Sequence, residues 1–383
     1  MTPKERMLIA MTGGKPDRVP VCPDISNMIP CRLTGKSFEQ IYLYDNPPLG
    51  DAYLEAVKYF GFDGWYQYWS PRITWKNRHG LDVRYEDEVH ALPEGRHEKI
   101  TWCQSSAGNL RHRCVYYPAD PPTLAEKVIK NIPADLRLQI QWLDADIEPI
   151  DWSGGREDYD RLGDRGIWGL QLFCPGPHGW IWMFDGGLEA VVEVLCDSPD
   201  LMDELVAIEH RRAIQLTQAF LDAPFKIDFF LIGASGLLTL SNPAWFRKYS
   251  LPTIREITRL CKQAGRPTMF HACGKSRYAV EAFAKETDLD CFNPLEKPPM
   301  GDIELAEARA IAGKKMALMG NLHTTDIMLR GTPADVIRES RKAIDDAGKD
   351  GGFILSTGDQ CGRDTPDENI FAMIEVAKTY GRY

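Results

Sequence analysis

From about Leu124 onward, short runs of β-forming residues alternate with longer stretches patterned for helices, which is how βαβ units and a parallel sheet are written in a sequence. The runs fall at residues 168–174, 229–232, 268–272, 291–295, 316–319 and 353–356. Two earlier ones, the turn and apolar segment at 13–21 and the stretch 61–69, complete a set of eight. Eight β/α units predict an α/β fold closed as a (β/α)8 TIM barrel. An open doubly wound sheet and two separate domains are the alternatives. The first of these is weakened, in its dinucleotide-binding form, by the absence of a Gly-x-Gly-x-x-Gly fingerprint after the first strand.

Helical patterning fills the gaps. Residues 201–221 are long and amphipathic, 243–264 open after the cap candidates Ser241 and Asn242, and Thr332-Pro333 starts another helix with proline in its first turn. A helix is also expected over 49–59. Residues 72–118 differ: Ile73-Thr74-Trp75, Val83-Arg84-Tyr85, Ile100-Thr101-Trp102-Cys103 and Cys114-Val115-Tyr116-Tyr117 are parted by turn residues, and predict an antiparallel β-hairpin insertion near the N-terminus of a single 1–383 barrel domain.

The 383 residues are 44% hydrophobic, enough for a large core. Against 45 Lys and Arg stand 55 Asp and Glu, a net charge of −10, which argues against nucleic acid or an anionic membrane as partner and in favour of small molecules or proteins. The charged N-terminal stretch does not read as a signal peptide, and no segment approaches the roughly 20 apolar residues needed to span a bilayer. A cytoplasmic location is expected, with the ten cysteines reduced.

In a barrel of this kind chemistry gathers on the loops after the strands. The candidates there are Asp24, Cys174, Ser235, His271, Cys273, Glu296, Asn321, His323 and Cys361. His271 and Cys273 alternate along one strand, so both side chains can face the same side, and Cys361 follows a distant strand. Three ligands from separated strand ends would leave a fourth zinc position open to water or substrate, the catalytic arrangement. The competing reading is a satisfied core histidine and two small buried thiols. Spacing alone leaves both open.

The ordered motifs His271-Ala272-Cys273-Gly274, Leu318-Met319-Gly320-Asn321-Leu322, Arg330-Gly331-Thr332-Pro333, Gly352-Phe353-Ile354-Leu355-Ser356 and Thr365-Pro366-Asp367-Glu368-Asn369-Ile370, with Asp17-Arg18-Val19-Pro20 near the start, resemble the uroporphyrinogen decarboxylase superfamily. The resemblance spans nearly the whole chain outside 72–118 and implies a (β/α)8 barrel. Within the superfamily the chain resembles the zinc-dependent corrinoid methyltransferases, such as methylcobalamin:coenzyme M methyltransferases and enzymes acting on halomethane or methoxylated substrates. It implies His271, Cys273 and Cys361 as zinc ligands. The metal-free decarboxylases instead carry Arg-Gln-Ala-Gly-Arg after the first strand, where this chain has Asn27-Met28-Ile29-Pro30-Cys31-Arg32-Leu33-Thr34-Gly35. They also carry a mid-chain aspartate, absent from Leu231-Ile232-Gly233-Ala234-Ser235-Gly236. Losing both removes anchoring cations and an acidic group together.

The resemblance therefore implies methyl transfer between a small substrate, a methoxylated compound or a thiol, and the cobalt of a corrinoid (cobalamin). No Asp-x-His-x-x-Gly pattern for ligating cobalt occurs, so the corrinoid is expected on a separate protein that docks over the strand ends. Glu296 is a candidate fourth ligand or general acid, with a helix-cap or salt-bridge role as the alternative. Asn321 and His323 are candidates for orienting substrate, Asp24 for catalysis by its location, and Ser235 and His178 for contact with the cofactor. Trp65, Tyr66, Tyr68, Trp69 and Trp75 are read as core packing ahead of a methoxyaryl pocket. A metal-free lyase and a barrel with a purely structural zinc are the competing functions; a homodimer is expected only from its general frequency.

Overall fold

The computed structural model describes residues 1–383. Its strands in chain order are β1 (Gly64–Tyr66), β2 (Trp75–Asn77), β3 (Arg84–Ala91), β4 (His97–Ser105), β5 (Gly108–Tyr116), β6 (Thr123–Glu126), β7 (Ala145–Ile147), β8 (Gly166–Leu172), β9 (Phe229–Gly233), β10 (Thr268–His271), β11 (Cys291–Asn293), β12 (Ala317–Leu322) and β13 (Phe353–Thr357). Seven form one curled parallel sheet in the order β1-β8-β9-β10-β11-β12-β13. Their residues are almost all buried, because helices lie between successive strands and cover them. The helices Pro199–Leu221, Leu251–Gln263 and Pro333–Ala347 match the expected patterning. Asn242 Oδ1 accepts from the Trp245 N–H at 2.9 Å, and Thr332 forms a capping box with Asp335, so the predicted caps operate.

The first expected strand does not form. Val21 makes one parallel bridge to Leu355, and prolines at 20 and 23 deny the segment the N–H groups a longer ladder needs. Leu355 N–H donates to Pro20 O and Cys22 N–H to Leu355 O, both at 2.9 Å, while Asp63 N–H donates to Val21 O at 2.9 Å. The segment thus lies between β13 and the start of β1. Fully buried Asp63 fixes it: its carboxylate accepts from Val21 N–H at 2.9 Å and meets the guanidinium groups of Arg6 at 2.5 Å and Arg18 at 2.9 Å. A buried carboxylate needs such donors to be tolerated.

β1 pairs directly with β8, Gly64 opposite Gly166, so the chain between them leaves and rejoins the sheet at one place. That excursion carries an antiparallel sheet in the order β3-β4-β5-β6. It reaches Glu126, beyond the expected end at 118, and the run at 73–75 belongs elsewhere: β2 pairs with β7. Local β patterning identifies strands but not the distant partner that completes a ladder. Among the N-terminal aromatics, Trp65 and Tyr66 are buried core residues and Trp69 stacks on Trp152. Trp75 lies under the Arg212 guanidinium, 4.0 Å from the ring centroid.

The main core fills the space between sheet and helices, with Phe270 stacked on Phe292 at 5.8 Å between centroids and Phe283 against both. A second apolar cluster packs Trp180 and Tyr249 against Leu205 and Ile208. Glu209 lies beside it, accepting from Trp180 Nε1–H at 2.9 Å. Burial pushes its carboxyl up to about 7, against the smaller opposing effects of Trp180 and Arg212. No helix is long and apolar enough to cross a membrane.

The Glu209 environment predicts a pH effect. Its folded pKa lies above its unfolded one, so between them the native state holds a proton that the unfolded state has lost, and stability falls as pH rises from about 4.5 to about 7. The loss should reach about 3 kcal/mol at most. Urea unfolding at pH 5 and pH 8 is expected to show a smaller pH-dependent loss in Glu209→Gln than in the natural chain.

Candidate functional site

His271 is the last residue of β10, whose register sets it opposite Asn293 of β11 and Gly233 of β9. The ladder continues past the strand: Ala234 N–H donates to His271 O at 2.8 Å, Ala272 N–H to Asn293 O at 2.9 Å and Gly236 N–H to Cys273 O at 3.2 Å. These bonds hold the His271-Ala272-Cys273 segment as rigidly as a strand. Gly274 then turns away at φ +84°, where an added Cβ would overlap Thr239 Oγ1. Glycine is required at this turn.

Asn293 Oδ1 lies 2.6 Å from His271 Nδ1. An amide oxygen accepts, so Nδ1 carries a proton, and Nε2 faces the loop after β13. There Asp359 Oδ1 stands 3.8 Å from Nε2. Ligand atoms of His271, Cys273 and Asp359 all lie within 4.8 Å of one another. Burial alone would lower the His271 pKa, but the Cys273 side chain, the Asp24 and Asp359 carboxylates and the Asn293 amide outweigh it and raise it to about 9. The site thus concentrates negative charge around one imidazole. An imidazole with a fixed tautomer, a thiol and a carboxylate are the donors zinc uses, and three of them leave a fourth position for another ligand. The residues present fit a zinc ion.

Cys361 stands outside that group. Its thiol is fully buried, and burial first, with the Asp24 carboxylate adding to it, pushes its pKa up to about 12. Its peptide N–H donates to Asp24 O at 2.7 Å, while Asp24 N–H donates to Thr357 Oγ1 at 3.0 Å and Gly358 N–H to Leu322 O at 2.6 Å. This clamp sets the course of the loop from Thr357 to Cys361, on which Asp359 faces His271. Sequence reasoning missed Asp359, because one acid in a Gly-Asp-Gln-Cys loop has no periodic or motif signal.

Of the remaining candidates, Asp24 and Glu296 border the site. Both are buried and both carboxyls are raised, chiefly by burial; for each, the charge of His271 acts in the opposite direction. Glu296 accepts the Gly274 N–H, so the two strand-end loops are tied together. Leu295, just before it, sits at φ +64°, in a left-handed conformation that leucine adopts at a cost. Asn321 Nδ2–H donates to Leu295 O at 2.9 Å, steadying that turn. Glu296, Asn321 and His323 line one small cavity with Gly358. His323 Nδ1 accepts from the N–H groups of Thr325 and Asp326 at 3.2 and 3.0 Å, which caps the helical turn Thr324–Leu329. Ser235 is exposed on the loop after β9. His178 is buried, its Nε2 3.8 Å from Cys174 Sγ, and burial lowers its pKa to about 4. Tyr68 lies beside Asp24: its hydroxyl donates to Ser26 O at 2.7 Å, and burial first, with the Asp24 carboxylate adding to it, raises its pKa. A larger open groove, lined by Pro30, Leu33, Thr34, Asp51 and Tyr59, lies along the helices Met28–Thr34 and Leu49–Phe60, away from these donors.

A curled parallel sheet with imidazole, thiol and carboxylate gathered past its C-terminal strand ends defines an α/β protein with a candidate metal centre. The chain belongs to the uroporphyrinogen decarboxylase (URO-D) family, whose model matches residues 182–380. It is 28% identical over 149 residues to the methylated-thiol–coenzyme M methyltransferase of Methanosarcina mazei, covering 39% of this chain and 37% of that one. It is 29% identical over 150 residues to the methylcobamide:CoM methyltransferase of Methanosarcina acetivorans, covering 39% and 41%. To the uroporphyrinogen decarboxylase of Gloeobacter violaceus it is 29% identical over 143 residues, covering 36% and 38%. The matched region thus spans about two fifths of these relatives. The structure of a methyltransferase from Methanosarcina mazei shares the fold at a TM-score of 0.64 and 17% identity, covering 99% of both chains.

The His271–Asn293 hydrogen bond yields a direct test. Asn293→Ala should weaken zinc binding by about 10- to 100-fold, because an unanchored imidazole must be ordered as the metal binds. Asn293→Asp, which restores an acceptor of the same shape, should recover most of that affinity in a chelator-competition titration.

Proposed function

We propose that this protein is a zinc-dependent methyltransferase that moves a methyl group between a small methylated substrate, a methoxylated compound or a thiol, and the cobalt of a corrinoid carried on a separate protein. The observation that carries the reading is the placing of His271 and Cys273, with a third donor from the loop after β13, around one point past the strand ends. Matches to enzymes named for methyl transfer to coenzyme M support it. We further take the curled sheet and the 19–22 segment to be one (β/α)8 barrel domain carrying the antiparallel sheet as an insertion, acting in the cytoplasm.

In this reading the residues divide the work. His271 and Cys273 hold the metal, and Asn293 fixes the imidazole that does so. A bound zinc ion supplies Lewis acidity toward the heteroatom that carries the methyl group. Glu296 and Asp24 retain protons more readily than ordinary carboxyls and stand beside the site, so either can protonate the leaving oxygen or sulfur. The methyl group parts from that heteroatom, which keeps the bonding pair and takes the proton. A reduced corrinoid on the partner protein would supply the electron pair that accepts the methyl group. Asn321 steadies the turn that carries Glu296. His323 serves this function through the cavity it shares with Glu296. Ser235, exposed on the loop after β9, is the residue proposed to meet the incoming corrinoid domain, whereas His178 is buried against Cys174 and does not reach the surface.

A metal-free, decarboxylase-like lyase is the second reading, favoured by the match to a uroporphyrinogen decarboxylase. Assays of the zinc-loaded protein with cob(I)alamin and a panel of methoxylated aromatics and methylated thiols separate the two. Zinc-dependent methylation of the corrinoid is expected with at least one donor class, falling by about a hundredfold in Cys273→Ser. Carbon dioxide release from a carboxylated substrate by metal-free protein, with no methylation of cobalamin, would establish the lyase instead.

A further inference from the structure

We propose that Gln67, Gln171 and Gly233 form the specificity element of the site: a slot beside His271 that seats a flat, uncharged molecule whose far end, a hydroxyl, is read by the two side-chain amides. The inference rests on the methyl-transfer reading above and deepens it by naming the class of methyl donor, the methyl ether of a phenol that carries a second, free hydroxyl.

The sheet register places the slot. His271 of β10 pairs with Gly233 of β9, and Leu231 of β9 pairs with Gln171 of β8. Side chains alternate along a strand, so His271, Gly233, Leu231 and Gln171 share one face. The opposite face carries Leu170 and Phe230, and Phe230 stacks on Phe220 of the covering helix Pro199–Leu221 with ring centroids 6.3 Å apart. The shared face is therefore the one turned away from that helix. Within β8 Gln171 alone is exposed, and the opening passes on through half-buried Gly233 to half-buried His271. Parallel strands covered on both faces are apolar throughout, so an exposed amide in mid-sheet marks space kept open above it. Gly233 points the same way: no left-handed φ requires glycine there, and an added Cβ would meet nothing within 4 Å, so what the missing side chain provides is room for a close approach.

Two strands across at about 4.8 Å each and two residues along at about 3.3 Å each set the Gln171 backbone roughly 12 Å from that of His271. Side chains reaching in from both ends leave a gap about the length of one aromatic ring. Gln171 Nε2–H donates to Gln67 Oε1 at 3.0 Å, the only hydrogen bond either side-chain amide makes. The Gln67 NH2 group is left as a donor and Gln171 Oε1 as an acceptor, side by side. A hydroxyl, which accepts and donates at once, satisfies both. A carboxylate or sulfonate only accepts, and it would turn its charge toward Gln171 Oε1 in a site that already holds the Asp24, Asp359 and Glu296 carboxylates. With the hydroxyl at the amide pair, the ether oxygen lies at the His271 end of the slot.

Calorimetric titration of the full-length, zinc-loaded protein with three aryl methyl ethers tests the slot: para-methoxyphenol, methoxybenzene, which lacks the hydroxyl, and para-methoxybenzoate, which carries an anion in its place. The natural chain is expected to bind para-methoxyphenol about tenfold more tightly than methoxybenzene, and para-methoxybenzoate no better than methoxybenzene. Gln171→Leu should bring the first ratio to about one. Gln67→Leu should do the same, and it decides the matter if Gln171→Leu fails to fold. Gly233→Val, which fills the slot, should weaken para-methoxyphenol by about tenfold or more. The inference is overturned if the preference for the hydroxyl is absent from the natural chain or survives both glutamine substitutions, if Gly233→Val leaves binding unchanged, or if para-methoxybenzoate binds more tightly than para-methoxyphenol. Zinc affinity, followed separately by chelator competition, keeps the two failures apart: a natural chain that binds no zinc defeats the methyl-transfer reading, while the hydroxyl preference and its loss in Gln171→Leu are still measured on the metal-free protein.

Discussion

The register between β10 and β11 is the constraint on which the site depends. Parallel pairing places Met269 beside Cys291, Phe270 beside Phe292 and His271 beside Asn293. The first two steps lie in the core, where the stacked phenyl rings of Phe270 and Phe292 penalise any slip. The third step opens at the strand ends, where the same register delivers an amide oxygen to an imidazole nitrogen at 2.6 Å. A slip of one residue would turn His271 to the other face and leave Asn293 buried without its partner. Hydrophobic packing below therefore orients a polar pair above.

The second arm of the site comes from the far end of the chain and depends on the N-terminal segment. Val19–Cys22 lies between β13 and β1, fixed by the buried Asp63 with Arg6 and Arg18, and it leads to Asp24. Asp24 in turn accepts the Cys361 N–H through its carbonyl and sets the path of the loop carrying Asp359.

Much of this was legible in the sequence. Short apolar runs bounded by glycine and proline marked β1 and β8 to β13, since strands buried on both faces leave an unbroken hydrophobic signal. Asn242 and Thr332 announced their helices through local side-chain chemistry. His271, Cys273 and Glu296 could be placed at strand ends from the sequence, and the structure brings them together past the ends of β10 and β11. What the sequence concealed depended on contacts between distant residues. The segment at 19–22 reads as a strand by composition, but Pro20 and Pro23 leave it a single bridge. β2 finds its partner in β7, which no local pattern can specify. Cys361 carries the familiar chemistry of a ligand, and its thiol lies buried outside the group formed by His271, Cys273 and Asp359.

In the proposed function a single metal ion sits past the strand ends between β10 and the loop after β13, held by His271 and Cys273. Crystals of the zinc-loaded protein measured on both sides of the zinc absorption edge would test it most directly. The zinc reading predicts one anomalous peak within about 2.0–2.3 Å of His271 Nε2 and Cys273 Sγ, with a third donor from the loop after β13 at a similar distance. An anomalous peak elsewhere, or none at this position in protein shown to carry stoichiometric zinc, would contradict it.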